Sequence, residues 1–446
     1  DALGVGRHVV VLVPVGIPLY EVLLGVFWGG RTAVLVDPSL PRDRLDAALR
    51  HVGVHAFVSI PKGHLLRLKV PTLRRARSML CTRSLGPVAR SVYGDEPGPM
   101  RSPEPGEPAL LTFTTGTTGV PKAMGRSHRF LLAQHDILAG HMGLGDTDVD
   151  LPTLPVFLLN SLACGATCVL PDGDLRDVSA LDPQRLSEQV RAHGVTTSSG
   201  SPAFFEPWVS WLQAHGQTLP ELRRLFTGGA RVPATLVERM VQVFPNAHIE
   251  VLYGSTEAEP MASLDAHTLL NETAQRERDG EGTCVGTPVL DVRLVDPDTG
   301  DQAAPDGVGE VWVSGGHVNR GYYRNPAADA ENKVTDGSVV WHRTGDAAWR
   351  DAQGRLWLVG RISARVHGRY PFPVETRAEA VAGVRRAALV AVGDVAVLAF
   401  SGTADADVVR EATGVADCRR IQNIPVDPRH RAKVDRDALV RLLGSG

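Results

Sequence analysis

Residues 8–37, with the sequence HVVVLVPVGIPLYEVLLGVFWGGRTAVLVD, contain the pattern that determines the fold. The valine-rich run 8–13 is typical of a buried β-strand, residues 19–28 have apolar side chains at helical spacing, and residues 32–36 are again β-branched. A strand, a helix and a second strand in this order predict two parallel strands joined by a crossover helix. Because both strands are apolar throughout, the sheet should be buried on both faces.

The same alternation continues along the chain. Further short strands are predicted at residues 110–114, 195–197, 224–226 and 248–252. Further helices are predicted at about residues 127–138 and 207–215. This alternation of strands and helices predicts an α/β protein with parallel sheets.

The pattern changes after about residue 280. Strands at 292–295, 309–314 and 355–359 are separated by PDTGD, PDG and DAQG turns, which are typical of hairpins. The tail has its own alternation, with a helix at 374–381 and strands at 387–392 and 395–401. We therefore predict a large N-terminal domain, residues 1–360, of parallel α/β subdomains with a small antiparallel β subdomain at 281–360. A small, mobile α+β domain, residues 361–446, should follow it.

Composition excludes several classes of protein. The 446 residues are 43% hydrophobic and 22% charged, and the formal net charge is −3, so no charge excess favours nucleic acid or anionic lipid. The longest apolar stretch, residues 9–20, contains two prolines and is shorter than the ~20 residues that a membrane-spanning helix needs. No charged segment typical of a secretory signal precedes it. We expect a cytoplasmic protein without membrane insertion and without a nucleic-acid partner.

Cysteine and lysine usage add two further expectations. The five cysteines are Cys81, Cys164, Cys168, Cys284 and Cys418. They form no CxxC pair with a His-rich partner segment, so we expect buried thiols rather than a zinc site. Five of the 47 basic residues are lysines, and the rest are arginines. A lysine at a position where chemistry needs a compact ammonium group is therefore more informative than usual.

The strongest chemical signal is the segment LTFTTGTTGVPK at residues 111–122. A strand leads into a loop with four threonine hydroxyls and two glycines, and Lys122 follows. Glycines allow consecutive backbone N–H groups to line a concave anion site, and the hydroxyls and the ammonium group add donors for phosphate oxygens. The segment does not match the GxxxxGK[ST] pattern of a P-loop. An ordinary Gly/Thr turn is the alternative.

A second signal, YGSTE at residues 253–257, follows directly after the strand at 248–252. Ligands bind at the carboxyl ends of parallel strands. There the Tyr253 ring can stack on a base, the Thr256 hydroxyl can reach a phosphate, and the Glu257 carboxylate can ligate Mg²⁺. A helix N-cap formed by Ser255 or Thr256 is an equally plausible structural alternative.

Two weaker signals lie further along the chain. Asp346, in Thr344-Gly-Asp, is a carboxylate on a tight turn and suits the diol of a ribose, although an Asx turn would use the same residues. Lys433, in PVDPRHRAKVDR at residues 425–436, is a lysine in a lysine-poor chain. A solvated surface lysine is its structural alternative.

The order of these segments resembles that of the ANL superfamily of adenylate-forming enzymes over essentially the whole chain. Between the loop and YGSTE lies Gly228-Gly229-Ala230, and Gly360-Arg361 follows the TGD turn. The resemblance implies ATP and Mg²⁺, and a small carboxylic acid as substrate. It assigns ATP binding to Thr114, Thr115, Gly116, Thr117, Thr118, Gly119, Gly228, Gly229, Ala230, Tyr253, Gly254, Ser255, Thr256, Asp346 and Arg361.

Individual roles also follow from the resemblance. The loop 114–119 and Lys122 would contact the β- and γ-phosphates, 228–230 and Tyr253 the adenine, and Asp346 the ribose, with Arg361 at the domain hinge. Thr256 would meet the α-phosphate and Glu257 would hold Mg²⁺. Lys433 would enter from the C-terminal domain for adenylation. The implied catalytic residues are thus Lys433, Glu257, Thr256 and Lys122.

Departures from the family pattern narrow the reaction. Leu158 stands where thioester-forming members commonly have His or an aromatic residue, and Ile362 and Ser363 replace the hinge Asp or Lys. The segments GRISARV (360–366), GSPAFFEP (200–207) and PVDPRHRAKVDR are similar to those of the β-lactone synthetases of olefin biosynthesis. That similarity implies activation of a 3-hydroxy acid as acyl-AMP and cyclisation to a β-lactone, with release of AMP and pyrophosphate.

Two other functions stay open at this stage. The same acyl-adenylate could pass to CoA, a carrier-protein thiol or an amine, which would make a carrier protein or pathway enzymes the partners; a non-enzymatic nucleotide-binding member is the third alternative. The acyl pocket should include Phe157, Gly200, Ser201 and Phe204. His128 is a candidate base for the substrate hydroxyl, with packing against the phosphate loop as its alternative.

Overall fold

The computed structural model describes residues 7–37, 40–83, 85–93, 98–114, 122–427 and 433–444. The strands are β1 His8–Leu12, β2 Thr32–Leu35, β3 Ala56–Ser59, β4 Ser78–Cys81, β5 Arg90–Ser91, β6 Pro108–Thr114, β7 Lys122–Ser127, β8 Val149–Pro152, β9 Thr167–Cys168, β10 Thr197–Gly200, β11 Arg224–Gly228, β12 His248–Ser255, β13 Ala258–Asp265, β14 Thr283–Pro288, β15 Asp291–Val295, β16 Gly309–Ser314, β17 Lys333–Asp336, β18 Val339–Arg350, β19 Leu356–Arg361, β20 Val384–Val392, β21 Val395–Gly402 and β22 Asp417–Arg420.

The α-helices are α1 Ile17–Trp28, α2 Arg42–Val52, α3 Pro71–Arg74, α4 His128–Met142, α5 Pro155–Ala163, α6 Pro183–His193, α7 Pro202–Ala214, α8 Ala234–Val243, α9 Ala266–Thr268, α10 Ala274–Arg278, α11 Pro326–Asn332, α12 Pro371–Ala380, α13 Ala406–Thr413 and α14 Arg436–Gly444. The chain divides into two compact units. Unit 1 comprises the chain up to Ile137 together with Thr256–Ala258 and Gly316–His342, and unit 2 comprises Leu138–Ser255, Glu259–Gly315 and the chain from Arg343 onward.

Unit 1 is built on a seven-stranded sheet with the order β5-β4-β3-β1-β2-β6-β7. β1 pairs in parallel with both β2 and β3, so that Val10 lies opposite Val34 and Phe57. These three side chains are fully buried and pack with Leu45 and Leu49 of α2. The parallel strand pair and the crossover helix predicted from residues 8–37 are confirmed.

β7 is a strand that the sequence analysis did not predict. It runs antiparallel to β6, with Thr114 opposite Lys122, and α4 begins only after it at His128. The sequence KAMGRS contains a glycine and two basic residues, which are weak strand formers, so local propensity gave no signal. The hairpin partner, and not the segment itself, stabilises this strand.

Unit 2 is organised around a long mixed sheet whose path runs β15-β16-β18-β19-β14-β13-β12-β11-β10-β8-β9. The strands β8, β10, β11 and β12 are parallel, whereas β14, β15, β16, β18 and β19 pair antiparallel. Its largest core cluster surrounds Trp208 of α7, which packs against Phe204 and Phe244. The predicted α/β class, with parallel strands first and an antiparallel β region later, is confirmed.

The C-terminal part of unit 2 has a three-stranded sheet, β20-β21-β22. One face packs on α12 and α13 through Leu389, Leu398 and Phe400, and the other packs on α14 through Val390 and Leu439. A domain boundary at residue 360 stays a prediction, as does mobility of the tail. Among the described residues, no helix has both the length and the apolar character required to span a membrane.

A buried carboxyl group in unit 2 gives a stability prediction. Glu277 is 7% exposed, and burial raises its pKa to about 7, although the Arg231 guanidinium and the Cys284 N–H group oppose the rise. The folded protein holds the Glu277 proton up to about pH 7, whereas the unfolded chain releases it near pH 4.5. The contribution of Glu277 to the free energy of unfolding therefore decreases as the pH rises from 4.5 to about 7. Glu277→Gln should therefore be more stable than the parent at pH 8, by about 2 kcal/mol, with a smaller difference at pH 5. Urea unfolding of both proteins at pH 5 and pH 8 tests this. An equal difference in stability between variant and parent at the two pH values would contradict the prediction.

Candidate active site

The phosphate-loop prediction falls mostly outside the described residues. Thr115, Gly116, Thr117, Thr118 and Gly119 belong to the segment 115–121, which the structure does not describe. The hairpin that carries this segment is described: Thr114 ends β6, and Lys122 begins β7 directly opposite. The roles of these loop residues therefore stay predictions.

Lys122 lies at the base of this hairpin in unit 1. Its Nζ atom is 2.7 Å from Oε2 of Glu331, and it lies 5.6 Å from the centroid of the Tyr322 ring. The Lys122 side chain is 20% exposed and the Glu331 side chain is 68% exposed, so this ion pair contributes little to the free energy of unfolding. An exposed carboxylate of this kind can be replaced by a stronger anion such as a phosphate.

Glu257 and Thr256 also belong to unit 1. The Tyr322 hydroxyl donates a hydrogen bond of 3.0 Å to Oε1 of Glu257, and the Asn319 N–H group donates one of 2.7 Å to its backbone oxygen. Arg126 donates a 3.0 Å hydrogen bond to the backbone oxygen of Thr256, whose residue is exposed. Both ends of this short segment are thus fixed in place, which suits a carboxylate that must be oriented toward a ligand.

Tyr253, Asp346 and Arg361 form a hydrogen-bonded group in unit 2. The Tyr253 hydroxyl donates to Oδ2 of Asp346 at 2.7 Å, and Arg361 donates to Oδ1 at 2.9 Å. Asp346 and Arg361 are register partners on β18 and β19. The tight turn predicted at residues 344–346 is wrong: these residues lie within β18, where Gly345 has φ 71°. Burial and the Asp346 carboxylate raise the pKa of Tyr253 well above its usual value, so the phenol keeps its proton and acts as donor.

Residues Gly228, Gly229 and Ala230 lie beside Tyr253 at the carboxyl ends of neighbouring strands. β11 pairs in parallel with β12, with Gly228 opposite Leu252. A Cβ atom on Gly228 would lie 2.3 Å from the Leu252 oxygen, so the strands approach too closely for any other residue. Gly229 turns the chain at φ 79°. Gly254 and Ser255 complete β12, so six of the predicted ATP-binding residues meet at these two strand ends.

Three of the four predicted acyl-pocket residues, Gly200, Ser201 and Phe204, lie together where β10 ends and α7 begins. Phe157 of α5 packs in a cluster with Leu138, Met142, Phe226 and Leu252. Gly200 ends β10, and Ser201 directly precedes α7. Phe204 of α7 packs over Gly200 and into the core around Trp208, with a ring-centroid distance of 5.5 Å. The assignment of these residues to the acyl site stays a prediction.

His128 and Lys433 have different surroundings. His128 begins α4, burial lowers the pKa of its imidazole, and its ring makes an edge contact with Phe27 at 6.5 Å. The role as base and the alternative of packing against the phosphate loop both stay predictions, because the loop lies outside the described residues. Lys433 is exposed, and its backbone oxygen accepts a hydrogen bond from the Asp427 N–H group.

The sequence analysis missed the residues that surround Glu257. Tyr322, Asn319 and Lys333 all come from a segment more than 60 residues further along the chain. Burial lowers the pKa of Lys333 to about 8, and its ammonium group donates to the Asn319 oxygen and lies 5.5 Å from the Tyr322 ring centroid. The scarcity of lysine was the signal that could have identified Lys333.

The donor set at Glu257 is compatible with one kind of cation site. Among the residues that the structure describes, no group of three or more His, Cys, Asp or Glu side chains could enclose a metal ion. A single carboxylate is nevertheless the usual protein contribution to Mg²⁺ that is otherwise held by phosphate oxygens and water. Cysteine is a poor candidate as ligand or nucleophile, because burial raises the pKa of Cys168 and Cys284 to about 12.

Within unit 2, the glycines and the tyrosine at the ends of β11 and β12 and the Asp346 carboxylate are groups suited to binding a nucleotide. The family model described as AMP-binding enzyme matches residues 2–323, and the chain belongs to this family. The predicted enzyme class, an AMP-forming ligase of the adenylate-forming type, is confirmed.

Three relatives illustrate the comparison. An olefin beta-lactone synthetase from Stenotrophomonas maltophilia is 35% identical over 98% of this chain and 87% of its own length. The amide bond synthetase McbA from Marinactinospora thermotolerans has a TM-score of 0.82 at 22% identity, covering 99% of this chain and 91% of that one. The o-succinylbenzoate CoA synthetase of Bacillus subtilis, in complex with ATP and magnesium ion, has a TM-score of 0.76 at 18% identity, covering 97% and 89%. The two structural likenesses establish the fold.

Proposed function

We propose that this enzyme activates a 3-hydroxy acid with ATP and closes it to a β-lactone. The carboxylate oxygen of the acid attacks the α-phosphorus, and pyrophosphate leaves. The hydroxyl oxygen of the same molecule then attacks the acyl carbon, its proton is lost, and AMP leaves with the former carboxylate oxygen. The single observation that carries the proposal is the 35% identity to an olefin beta-lactone synthetase over nearly the whole chain.

The proposal assigns roles to the described residues. In unit 2, Asp346 accepts hydrogen bonds from the ribose hydroxyls, and the Tyr253 ring and the 228–230 turn contact the adenine. Both oxygens of Asp346 already accept hydrogen bonds, from Tyr253 and Arg361, so its carboxylate is fixed in orientation before a nucleotide binds. In unit 1, Lys122 and the loop 114–119 contact the β- and γ-phosphates.

Charge is the main obstacle to the first step, because a carboxylate approaches a phosphate. Bound Mg²⁺ supplies positive charge that offsets this repulsion. Glu257 is the residue proposed to hold Mg²⁺, and Thr256 is proposed to contact the α-phosphate. Lys433 is proposed to bring an ammonium group to the reacting oxygens, where a positive charge stabilises the transition state more than the ground state.

The second step needs no external thiol or amine. An internal hydroxyl close to the acyl carbon makes cyclisation a matter of orientation. This fits a chain in which Leu158 replaces a residue typical of thioester-forming members and Ile362-Ser363 replaces the hinge Asp or Lys of the family pattern. The fold is shared with amide- and thioester-forming enzymes, so transfer to CoA, a carrier-protein thiol or an amine is the competing outcome.

A turnover assay separates these outcomes. Purified enzyme is given ATP, Mg²⁺ and a panel of 3-hydroxy acids of increasing chain length, with no thiol or amine present. Repeated release of AMP, with a product lighter than the acid by one water, is the expected result. The matched 3-deoxy acids, which lack the hydroxyl, should give at most one AMP per enzyme. AMP release that requires CoA or an amine would contradict the proposal.

A further inference from the structure

The segment from Asn319 to Lys333 encloses Glu257 within unit 1. The Asn319 N–H group donates to the backbone oxygen of Glu257, and its side-chain amide donates to the Gly125 oxygen at 3.0 Å. Ala258 forms a β-bridge with Val318. These contacts hold the backbone of residues 257 and 258 against this segment.

Tyr322 makes the side-chain contact. Its hydroxyl lies 3.0 Å from Oε1 of Glu257, and the residue is 7% exposed. The hydroxyl is the donor in this hydrogen bond, because a carboxylate offers only acceptor oxygens. A carboxylate has about four lone-pair positions, and this bond occupies one of them.

The Tyr322 ring is itself held on several sides. The backbone N–H group of Tyr322 donates to Oδ1 of Asp329 at 2.6 Å. The Tyr322 ring packs with Met124 and Ala328. The ammonium groups of Lys122 and Lys333 lie 5.6 Å and 5.5 Å from the ring centroid, within the range of cation–π attraction. The tyrosine thus has little freedom to move its hydroxyl away from Glu257.

We propose that Tyr322 is a positioning residue that sets the orientation of the Glu257 carboxylate for the cation bound with ATP. This inference rests on the proposed role of Glu257. Mg²⁺ tolerates little deviation from octahedral geometry, so a carboxylate that rotates freely binds it less well. Groups that orient metal-binding side chains in this way typically contribute 10- to 100-fold to metal affinity.

The test is a cation-binding measurement on Tyr322→Phe, which removes only the hydroxyl. Free Mn²⁺ is followed by its electron paramagnetic resonance signal during titration of the enzyme with a non-hydrolysable ATP analogue present. We expect the dissociation constant of Mn²⁺ to rise about 10-fold. In AMP-release assays, the Mg²⁺ concentration for half-maximal rate should rise by a similar factor, while kcat at saturating Mg²⁺ changes little.

Tyr323→Phe is the matched control. Tyr323 directly follows Tyr322, and its hydroxyl contacts Nε2 of His8 at 3.3 Å. The control variant should leave Mn²⁺ affinity unchanged. An unchanged constant in Tyr322→Phe would overturn the proposal.

Glu257→Gln separates failure of this inference from failure of the proposed function. If Glu257→Gln leaves Mn²⁺ affinity at the parent value, the assignment of Glu257 to the cation is wrong. If it weakens Mn²⁺ binding but Tyr322→Phe does not, only the positioning role is wrong. In the Glu257→Gln background, Tyr322→Phe should add no further loss, because the carboxylate through which it acts is absent.

Discussion

Lys433→Ala should lower the rate of ATP–pyrophosphate exchange by 100- to 1000-fold while ATP still binds. The proposed role of this ammonium group is to stabilise charge that develops as the carboxylate attacks the α-phosphorus. Removing one such group from a transition state typically costs about 3–4 kcal/mol. Lys433 is exposed in the structure, so its truncation should not disturb folding. Exchange of radiolabelled pyrophosphate into ATP measures the first step alone.

Lys69→Ala is the matched control, because Lys69 is also an exposed lysine and has no proposed role. Its exchange rate should equal that of the parent. ATP binding, followed by calorimetry, should stay within a few-fold in both variants. An unaltered exchange rate in Lys433→Ala would show that another residue supplies the positive charge.

Asp346→Ala should raise the KM for ATP about 30- to 100-fold. The variant loses the carboxylate proposed to accept hydrogen bonds from the ribose diol, and bonds to a charged acceptor are worth about 1.5–3 kcal/mol. It also leaves the Tyr253 hydroxyl and the Arg361 guanidinium without the acceptor that they share in the folded protein. Steady-state kinetics at saturating acid substrate measure the change.

The nucleotide itself provides a control for this prediction. The parent enzyme should discriminate strongly between ATP and 3′-deoxy-ATP, and Asp346→Ala should lose most of that discrimination. Asp394→Ala, at an exposed position in the turn between β20 and β21, should behave like the parent. Retained discrimination in Asp346→Ala would place the ribose elsewhere.

The sheets were predictable where a strand is apolar throughout. The pattern of residues 8–37 predicted β1, α1 and β2, because a strand buried on both faces has an unbroken apolar run. The strands β16 and β21 were also predicted from their apolar residues. β7 could not be recognised, because its stability comes from pairing with β6 rather than from its own residues. Local propensity carries no information about a partner strand.

The candidate site was predictable to the extent that its residues follow strand ends. Tyr253 was singled out in this way, since parallel strands deliver their carboxyl ends to one edge, whereas Gly228 was assigned through the family resemblance and lies on the neighbouring strand. Tyr322 lies 65 positions from Glu257, and only the folded chain brings them within hydrogen-bonding distance. The acyl-pocket assignment stays a prediction. Phe204 packs against Trp208, and the sequence does not reveal whether such an apolar side chain lines a pocket or fills the core.

The central claim, that the carboxylate of the substrate is joined to AMP, is tested most directly by oxygen transfer. A 3-hydroxy acid labelled with ¹⁸O at both carboxyl oxygens is turned over with ATP and Mg²⁺ in the absence of thiols. Mass spectrometry should find one ¹⁸O in the phosphate of AMP and one in the lactone carbonyl. AMP without label would contradict attack of the carboxylate on the α-phosphorus, and with it the acyl-adenylate route.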